Sequence, residues 1–458
     1  MHGKRGCANS VLSETHSSSF SLRAVLDAHL PAGVTALVVG LSGGADSAAL
    51  LTLAAALGAE FRGRLRAVHI DHGLQTAAAS FRDACAAACA QLAIPLSVIP
   101  VKLEPDGSSV EAAAREARYA AFEAELRPGE CLLTAHHRED QAETLLLQAL
   151  RGAGLKGMSA MPICRPFGAG WHLRPLLDIS QSELLEHGAG LQGACPADPM
   201  NRDLRFDRSY LRQQIWPSLT ARWPGASSAL SRSARHAAEA QVLLDGLAAA
   251  ELARLRDGDA LSVQGLRALD SRQQINVLRY WLHSAGVEPP PTSRLHEALR
   301  QIFAAKTDHL PSIVWGRHAL RRYRQRVFLT PSDPPQLHGT RHWSWAAGSR
   351  VDLGPGLGEL SWVSQNGGID MRLLPAAVSV RRRHGGETLK PAAKARTASV
   401  QHLCQVQGVL PWMRAALPLV FAGDDLIAVA DLWLDARWCA APSKPGAAIL
   451  WERAPLIG

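Results

Sequence analysis

The 458 residues predict an α/β protein. A doubly wound, Rossmann-like parallel sheet stands at the N-terminus, followed by a helical middle domain and a small β-rich (α+β) C-terminal domain. Three observations predict this order. Short apolar runs alternate with helical stretches through the first half, as in βαβ units. After Trp223-Pro224 the chain turns Ala/Leu/Arg-rich, and Ile275, Leu278 and Leu282 fall on one helical face. Beyond the stretch 331–336 (PSDPPQ), short strands with Gly turns take over. The expected domains are therefore 1–222, 223–333 and 337–458.

In order, the first four strands are expected at Val34–Leu41, Leu65–Ile70, Ile94–Val101 and Cys131–Ala135. Helices are expected at Asp46–Leu57, Ala77–Leu92, Ser108–Leu126 and Glu139–Leu150. Strands and helices of these lengths imply a parallel sheet with helices on both faces. Near the C-terminus, Leu419–Ala422 and Leu426–Val429 flank Gly423-Asp424-Asp425, a hairpin pattern.

Composition narrows the class. Hydrophobic residues make up 47% of the chain and charged residues 20%. Each domain can therefore bury a core, and wholesale disorder is excluded. No apolar run reaches the roughly 18–20 residues that span a bilayer. Met1–Phe20 is polar and Ser-rich, so no membrane partner and a cytoplasmic location are expected. The eight Cys are scattered without a C-x-x-C pair, which argues against a disulfide scaffold, a zinc ribbon or an iron–sulfur cluster. With 49 Lys+Arg against 41 Asp+Glu, the net charge of +8 fits an acidic partner such as nucleic acid. The residues leave the oligomeric state open, a homodimer included.

The strongest local signal is Ser42-Gly43-Gly44-Ala45-Asp46-Ser47, between the first strand and its helix. Two glycines let backbone N–H groups close around an anion, the helix N-terminus adds its positive dipole end, and the serines supply hydroxyls. Asp46 stands where Mg²⁺ on a polyphosphate could be held. The bland alternative is a Gly turn capped by Ser and Asp. No Gly-Lys-Ser/Thr follows, so this is not a Walker loop. Two G-x-G-x-x-G strings, Gly152–Gly157 and Gly188–Gly193, follow helical stretches rather than strands and fail the dinucleotide test.

Two further clusters close strands two and four. One is His69-Ile70-Asp71-His72; the other is His136-His137-Arg138-Glu139-Asp140-Gln141-Ala142-Glu143-Thr144. Parallel sheets carry function at the carboxyl ends of their strands, so both should line one crevice with the Gly loop. Asp140, Glu143 and Thr144 share a helix face, where a carboxylate pair could clamp an ammonium or a metal. The same residue types, His69/Asp71/His72 with His136/His137, also allow a metal-dependent hydrolase.

S-G-G-x-D-S resembles the pyrophosphate loop of the PP-loop ATP pyrophosphatase superfamily, which cleaves ATP between the α and β phosphates and adenylates a substrate oxygen. Ala135–Gly157 resembles the A-H-H-x-D-D-Q-x-E-T…R-G-x-G-x-x-G segment of the tRNA(Ile)-lysidine synthase family. The resemblance extends through Glu111–Tyr119, Arg174–Leu184, Asp198–Leu219, Arg383–Pro391 and Leu410–Leu419, nearly the whole chain. Glu139 replaces the family's usual Asp, and Gln401-His402 stand where many members carry two Lys.

The resemblance implies an enzyme, an ATP-dependent carbon–nitrogen ligase with a catalytic, adenylating first domain and tRNA-binding middle and C-terminal domains. It joins L-lysine to carbon 2 of the wobble cytidine of the CAU-anticodon isoleucine tRNA, using ATP and Mg²⁺. Ser42, Gly43, Gly44, Ala45, Asp46, Ser47, Asp71 and His72 would bind ATP, with Mg²⁺ on Asp46. Arg115 would organise the adenylate, with Arg118 either beside it or on a solvated face. Asp140 and Glu143 would recognise lysine, and His136 or Asp71 would accept a proton. Arg202, Arg205, Arg208 and Arg212 near the end of the first domain would grip tRNA, as would Arg381, Arg382, Arg383, Lys390, Lys394 and Arg396 in the last. The rivals are a tRNA thiolase of the same superfamily, disfavoured by the missing C-x-x-C, the metal hydrolase, and a non-catalytic tRNA-binding protein.

Overall fold

The computed structural model describes residues 20–71, 78–101, 110–188, 203–306, 310–344, 349–391 and 396–455. The chain divides into two compact units, 1–244 and 245–458.

In the first unit the elements run α1 (Leu22–His29), β1 (Ala36–Leu41), α2 (Ala45–Ala55), α3 (Ala59–Arg62), β2 (Leu65–Asp71), α4 (Ala78–Gln91), β3 (Leu96–Pro100), α5 (Val110–Glu125), β4 (Glu130–Leu133) and α6 (Arg138–Leu150). After α7 (Leu155–Met158) come β5 (Cys164–Phe167), β6 (Gly170–Leu173), α8 (Gln181–Gly188), α9 (Asp207–Tyr210), a π-helical turn at Leu211–Ile215 and α10 (Trp216–Arg222). The long α11 (Ala226–Leu255) runs past the division between units. The four expected strands and four expected helices all form, within a few residues of their expected ends. The hairpin β5–β6 was not anticipated. It is short, and its apolar positions do not alternate cleanly enough to stand out.

The sheet order is β3-β2-β1-β4-β6-β5, parallel throughout except for the antiparallel edge strand β5. Alternation along β1 explains the winding. Leu37, Val39 and Leu41 join Leu50, Leu51, Cys85 and Leu184 in a core that includes residues of α2, α4 and α8. Val38 joins Phe122, Leu126 and Phe167 in the core on the α5 face. Gly40 also serves that face: a Cβ there would stand 3.1 Å from Phe122 Cζ, so the missing side chain lets α5 approach. Strand order reverses between β1 and β4. That is the switch point where doubly wound sheets open a crevice, and the loops after β1 and β4 flank it.

The second unit carries helices at Val263–Ala268, Ser271–Ser284 and Thr292–Ala304; the middle one holds the apolar face that the spacing predicted. It also has a five-stranded antiparallel sheet, Arg256–Asp257 to Arg326–Pro331, which the helical reading of this stretch did not include. Ile275, Leu278 and Leu282 are buried there, as their spacing requires. Among the described residues the remainder is β-rich, with antiparallel sheets of five, three and two strands and one α-helix, Val400–Gln407. The expected hairpin forms between Leu419–Ala422 and Asp425–Val429, and Gly423 at φ +61° takes the left-handed turn position. Among the described residues, no helix is long and apolar enough to cross a membrane.

Candidate active site

The loop after β1 is folded around its own hydroxyls. Ser47 Oγ donates to Gly44 O (2.9 Å) and accepts from Ser42 N (3.2 Å). Its single proton thus spent, it accepts from Ser42 Oγ (3.1 Å), which in turn accepts from Gly44 N (3.2 Å). Ser42 and Ser47 therefore set the loop's shape. Gly43 has φ +83°, and a Cβ there would meet Phe81 of α4 at 2.8 Å. Glycine is thus demanded twice over, by conformation and by space. Among the described residues the amides of Gly43, Ala45 and Asp46 donate to no protein acceptor, as expected at a helix N-terminus open to an anion.

Asp46 lies in the first turn of α2, and its carboxylate accepts from Gln181 Nε2 at 3.1 and 3.3 Å. Hard carboxylate oxygens beside an anion-binding loop fit Mg²⁺ on a polyphosphate. Gln181 opens α8, and its backbone N donates to Glu139 Oε2 (3.0 Å). The same Oε2 accepts from His137 Nδ1 (2.9 Å). The longer Glu, where the family usually has Asp, thus braces an imidazole and a helix N-terminus together. His137 is buried, with Nε2 3.5 Å from Asp140 and 3.9 Å from Asp46. Burial alone would lower its pKa, but the Glu139 hydrogen bond and the charges of Asp140 and Asp46 outweigh it and raise the value. Three helix N-termini, those of α2, α6 and α8, are tied together by this one cluster.

Asp140 and Glu143 face Arg208 and Arg212. Arg208 Nε donates to Glu143 (2.9 Å) and its Nη2 to Asp140 (3.1 Å). Arg212 donates from Nε and Nη2 to the two oxygens of Glu143 (2.8 Å each) and again to Asp140 (3.1 Å). The Glu143 carboxylate is 2% exposed. Only this pairing sustains a charge at such depth. Burial of Asp140 would raise its pKa, but His137 and Arg208, followed by His136 and Arg212, hold it below the usual carboxylate range. Thr144 turns back to Asp140 O (2.7 Å) instead of joining the cluster. The π-helical turn lies between Arg208 and α10, where an extra residue per turn re-aims side chains. The i,i+4 spacing of the arginines against the i,i+3 spacing of the carboxylates was the signal that could have matched them.

His136 sits on a buried relay. Thr134 Oγ1 lies 2.9 Å from His136 Nδ1 and 2.8 Å from His172 Nε2. Burial drives His136 to about 3, opposed by Asp140 and reinforced by Arg174, Arg208 and Arg115. His172 falls to about 2, chiefly through burial and then Arg174. Both rings are therefore neutral at pH 7. Thr134 and His172 were missed because lone residues on strand ends carry no spacing pattern. Arg115 is exposed on α5 with its guanidinium 5.1 Å from the centre of the Tyr119 ring, and Arg118 is at 5.9 Å.

The remaining candidates lie elsewhere. Asp71 ends β2, 3.8 Å from Arg82. Arg205 is exposed and pairs with Asp203. In the second unit Arg382 is exposed, while Arg383 lies 3.6 Å from Glu387 and donates to Gln401 Oε1 (3.1 Å). Arg381 covers the Phe421 ring at 3.9 Å, and Lys390 N donates to Asp435 (3.0 Å). His72, Arg202, Lys394 and the second glycine string beyond Gly188 lie outside the described residues.

The rival chemistries find little support. Among the described residues no three His, Cys, Asp or Glu side chains converge as a metal-ligand set. His69 is buried with Nδ1 against Leu41 O (2.9 Å). Cys89 and Cys131 are core residues whose thiols burial pushes up to about 11 and about 12, unlike reactive thiols.

Comparison with known proteins identifies the family. Residues 17–219 match the family model for the PP-loop domain, 261–328 that for the TilS substrate binding domain, and 378–451 that for the TilS substrate C-terminal domain. The chain is 41% identical to tRNA(Ile)-lysidine synthase of Alkalilimnicola ehrlichii, covering 88% of this chain and 91% of that one. It is 35% identical to the namesake of Methylococcus capsulatus (90% and 95% covered) and 38% to that of Coxiella burnetii (85% and 87%). Among solved structures, a U34-tRNA thiolase of Methanococcus maripaludis aligns at 19% identity over 47% of this chain and 76% of that one, with a TM-score of 0.35, too remote to argue from. On relatives of this identity spanning almost the full chain, the chain belongs to the tRNA(Ile)-lysidine synthase family.

Proposed function

We propose that the protein ligates L-lysine to carbon 2 of the wobble cytidine of a CAU-anticodon isoleucine tRNA, converting ATP to AMP and pyrophosphate. The observation that carries this reading is the meeting of two recognition elements at one switch point. An open anion loop with Asp46 lies on one side, and on the other a carboxylate pair is clasped by two arginines.

In the first step the cytosine O2 attacks the ATP α-phosphorus and pyrophosphate leaves. The free amides of Gly43, Ala45 and Asp46 and the α2 dipole receive the departing charge. Mg²⁺ held on Asp46 would neutralise polyphosphate charge there. Arg115 would steady the α-phosphate. In the second step the lysine ε-amine attacks carbon 2, AMP leaves with O2, and the nitrogen loses a proton.

Lysine carries two ammonium groups and a carboxylate. Asp140 and Glu143 match the first and Arg208 and Arg212 the second, so each charge of the amino acid meets its complement. The same arginines favour the neutral form of a nearby ε-amine, whose free pKa is about 10.4. His136, its basicity driven down to about 3, or Asp71 would accept the proton.

Of the three domains, 1–222, 223–333 and 337–458, the first would contact tRNA phosphates through Arg205 and the last through Arg382, Arg383 and Lys390, and the site of action would be the cytoplasm, where ATP, lysine and tRNA occur together. The test is to incubate the protein with ATP, Mg²⁺, lysine and an isoleucine tRNA transcript and to weigh the wobble nucleoside. A lysine-mass adduct is expected; cytidine of unchanged mass would reject the reading.

A further inference from the structure

α5 and the β5–β6 hairpin flank a second cavity, open to solvent and of about 470 Å³, that the reaction above does not use. Its walls include Tyr119, Phe167, Arg165, Glu116 and Glu123. The two rings meet edge to face at 6.0 Å and 89°. The Arg165 guanidinium lies 5.0 Å from the centre of Phe167 and 6.0 Å from that of Tyr119. Its Nε is buried and finds no hydrogen-bond partner among the described residues. A buried donor left unmade is costly, so Arg165 has hydrogen-bonding capacity that the described residues do not use. Glu116 and Glu123 offer acceptors on exposed flanks. Arg115 and Arg118, on the same helix, add positive charge beside Tyr119 with no ion pair among the described residues.

A flat wall of rings and guanidinium, carboxylate acceptors and neighbouring cations fits a nucleobase with an exocyclic amino group and an attached phosphate. The volume lies within the roughly 300–1,000 Å³ of small-ligand pockets. The cavity and the crevice share a buried wall. Tyr119 and Phe167 flank His172 at 5.8 and 5.5 Å, and His172 reaches His136 through Thr134.

We infer that this cavity takes a second unstacked base of the RNA, the adenosine that follows the wobble cytidine in the CAU anticodon. The base stacks against the Arg165 guanidinium, which itself lies over Phe167, and its amino group donates to Glu116 or Glu123. This rests on the tRNA reading above and adds a reading site for a neighbouring nucleotide. An unstacked neighbour also keeps the target cytidine out of the loop's stack.

The test is a cycle between protein and RNA, read as Kd for full-length tRNA transcript bound to the whole chain. With wild type, replacing that adenosine by uridine is expected to weaken binding about 10-fold, the scale of one lost base–aromatic stack. Arg165→Ala should weaken binding of the unaltered tRNA by a similar factor and show no further loss with the uridine transcript. Arg165→Lys, which keeps the charge and loses the plane, should behave like Arg165→Ala. Multiplying penalties, full binding by Arg165→Lys, or wild-type binding by Arg165→Ala would each overturn the inference. Unchanged ATP affinity and melting temperature confirm that the variants are folded. A wild type that binds tRNA and forms the lysine adduct while Arg165→Ala matches it rejects this site alone; a wild type that does neither rejects the function itself.

Discussion

Arginines crowd two places in this chain and behave differently in each. At the crevice, Arg208 and Arg212 are locked onto Asp140 and Glu143 by five hydrogen bonds between side chains of 2.8 to 3.1 Å. In the second unit Arg382 is exposed and Arg381 lies on an aromatic face. Arg383 is the intermediate case, tethered by Glu387 and by Gln401, one of the two residues that replace the family's usual lysines. A lysine at 401 would repel Arg383; glutamine holds it. Equal formal charges therefore do unequal things. In the crevice they sustain buried carboxylates and shape a pocket of mixed sign. In the second unit the exposed ones remain available to phosphates and are subject to salt screening.

The contrast can be broken at several points. The largest effect belongs to the crevice's anion side: Asp46→Ala should lower AMP and pyrophosphate release on the order of 10³-fold, and AMP formation at the wild-type rate would remove Asp46 from the site. Next, Arg212→Ala leaves Glu143 with Arg208 alone. Losing charge-assisted hydrogen bonds worth about 1.5–3 kcal/mol should cut kcat/KM for lysine on the order of 10–100-fold while ATP affinity holds. Equal losses for lysine and ATP would point to collapse of the pocket instead. Arg382→Ala and Lys390→Ala should raise KM for tRNA only about 2–5-fold each, leave kcat intact, and reduce the salt slope of tRNA binding by about one per residue. A salt slope that does not move would mean that these side chains meet no phosphate.

The smallest effect concerns acid stability. His172 and His136 have folded values depressed to about 2 and about 3, far below the ordinary histidine value of about 6.5. Below pH 6.5 the unfolded chain binds protons that the folded chain refuses, so stability is full above that value and falls as pH drops toward 3. His172→Gln removes one such group. Its melting temperature should fall less steeply between pH 6.5 and 4 than the wild type's, whatever its value at pH 7. Parallel curves would show that His172 does not titrate as its burial implies.

Much of the first unit was legible. Val34–Leu41 reads as a strand because a buried parallel strand must be apolar on both faces, and the Gly-Gly turn after it marks where the backbone takes a conformation closed to other residues. The clusters at 136–144 and 42–47 were legible as neighbours because strand ends of a doubly wound sheet share one rim. The β5–β6 hairpin and the five-stranded sheet of the middle segment were not. Their strands are short, and helical patterning on either side dominates the local signal.

What the sequence by itself determined is the inventory: an anion loop, a carboxylate pair at helical spacing, two groups of arginines, and a family pattern running through all of them. Which partner each charge takes was decided only by the tertiary structure. Glu143 meets Arg212 across 69 positions, and Gln181 meets Asp46 across 135. Periodicity constrains residues a turn apart, whereas contacts at such separations exist only once the sheet has brought distant strand ends together. The same closure made neutral bases of His136 and His172, since burial sets their charge and no local pattern reports it.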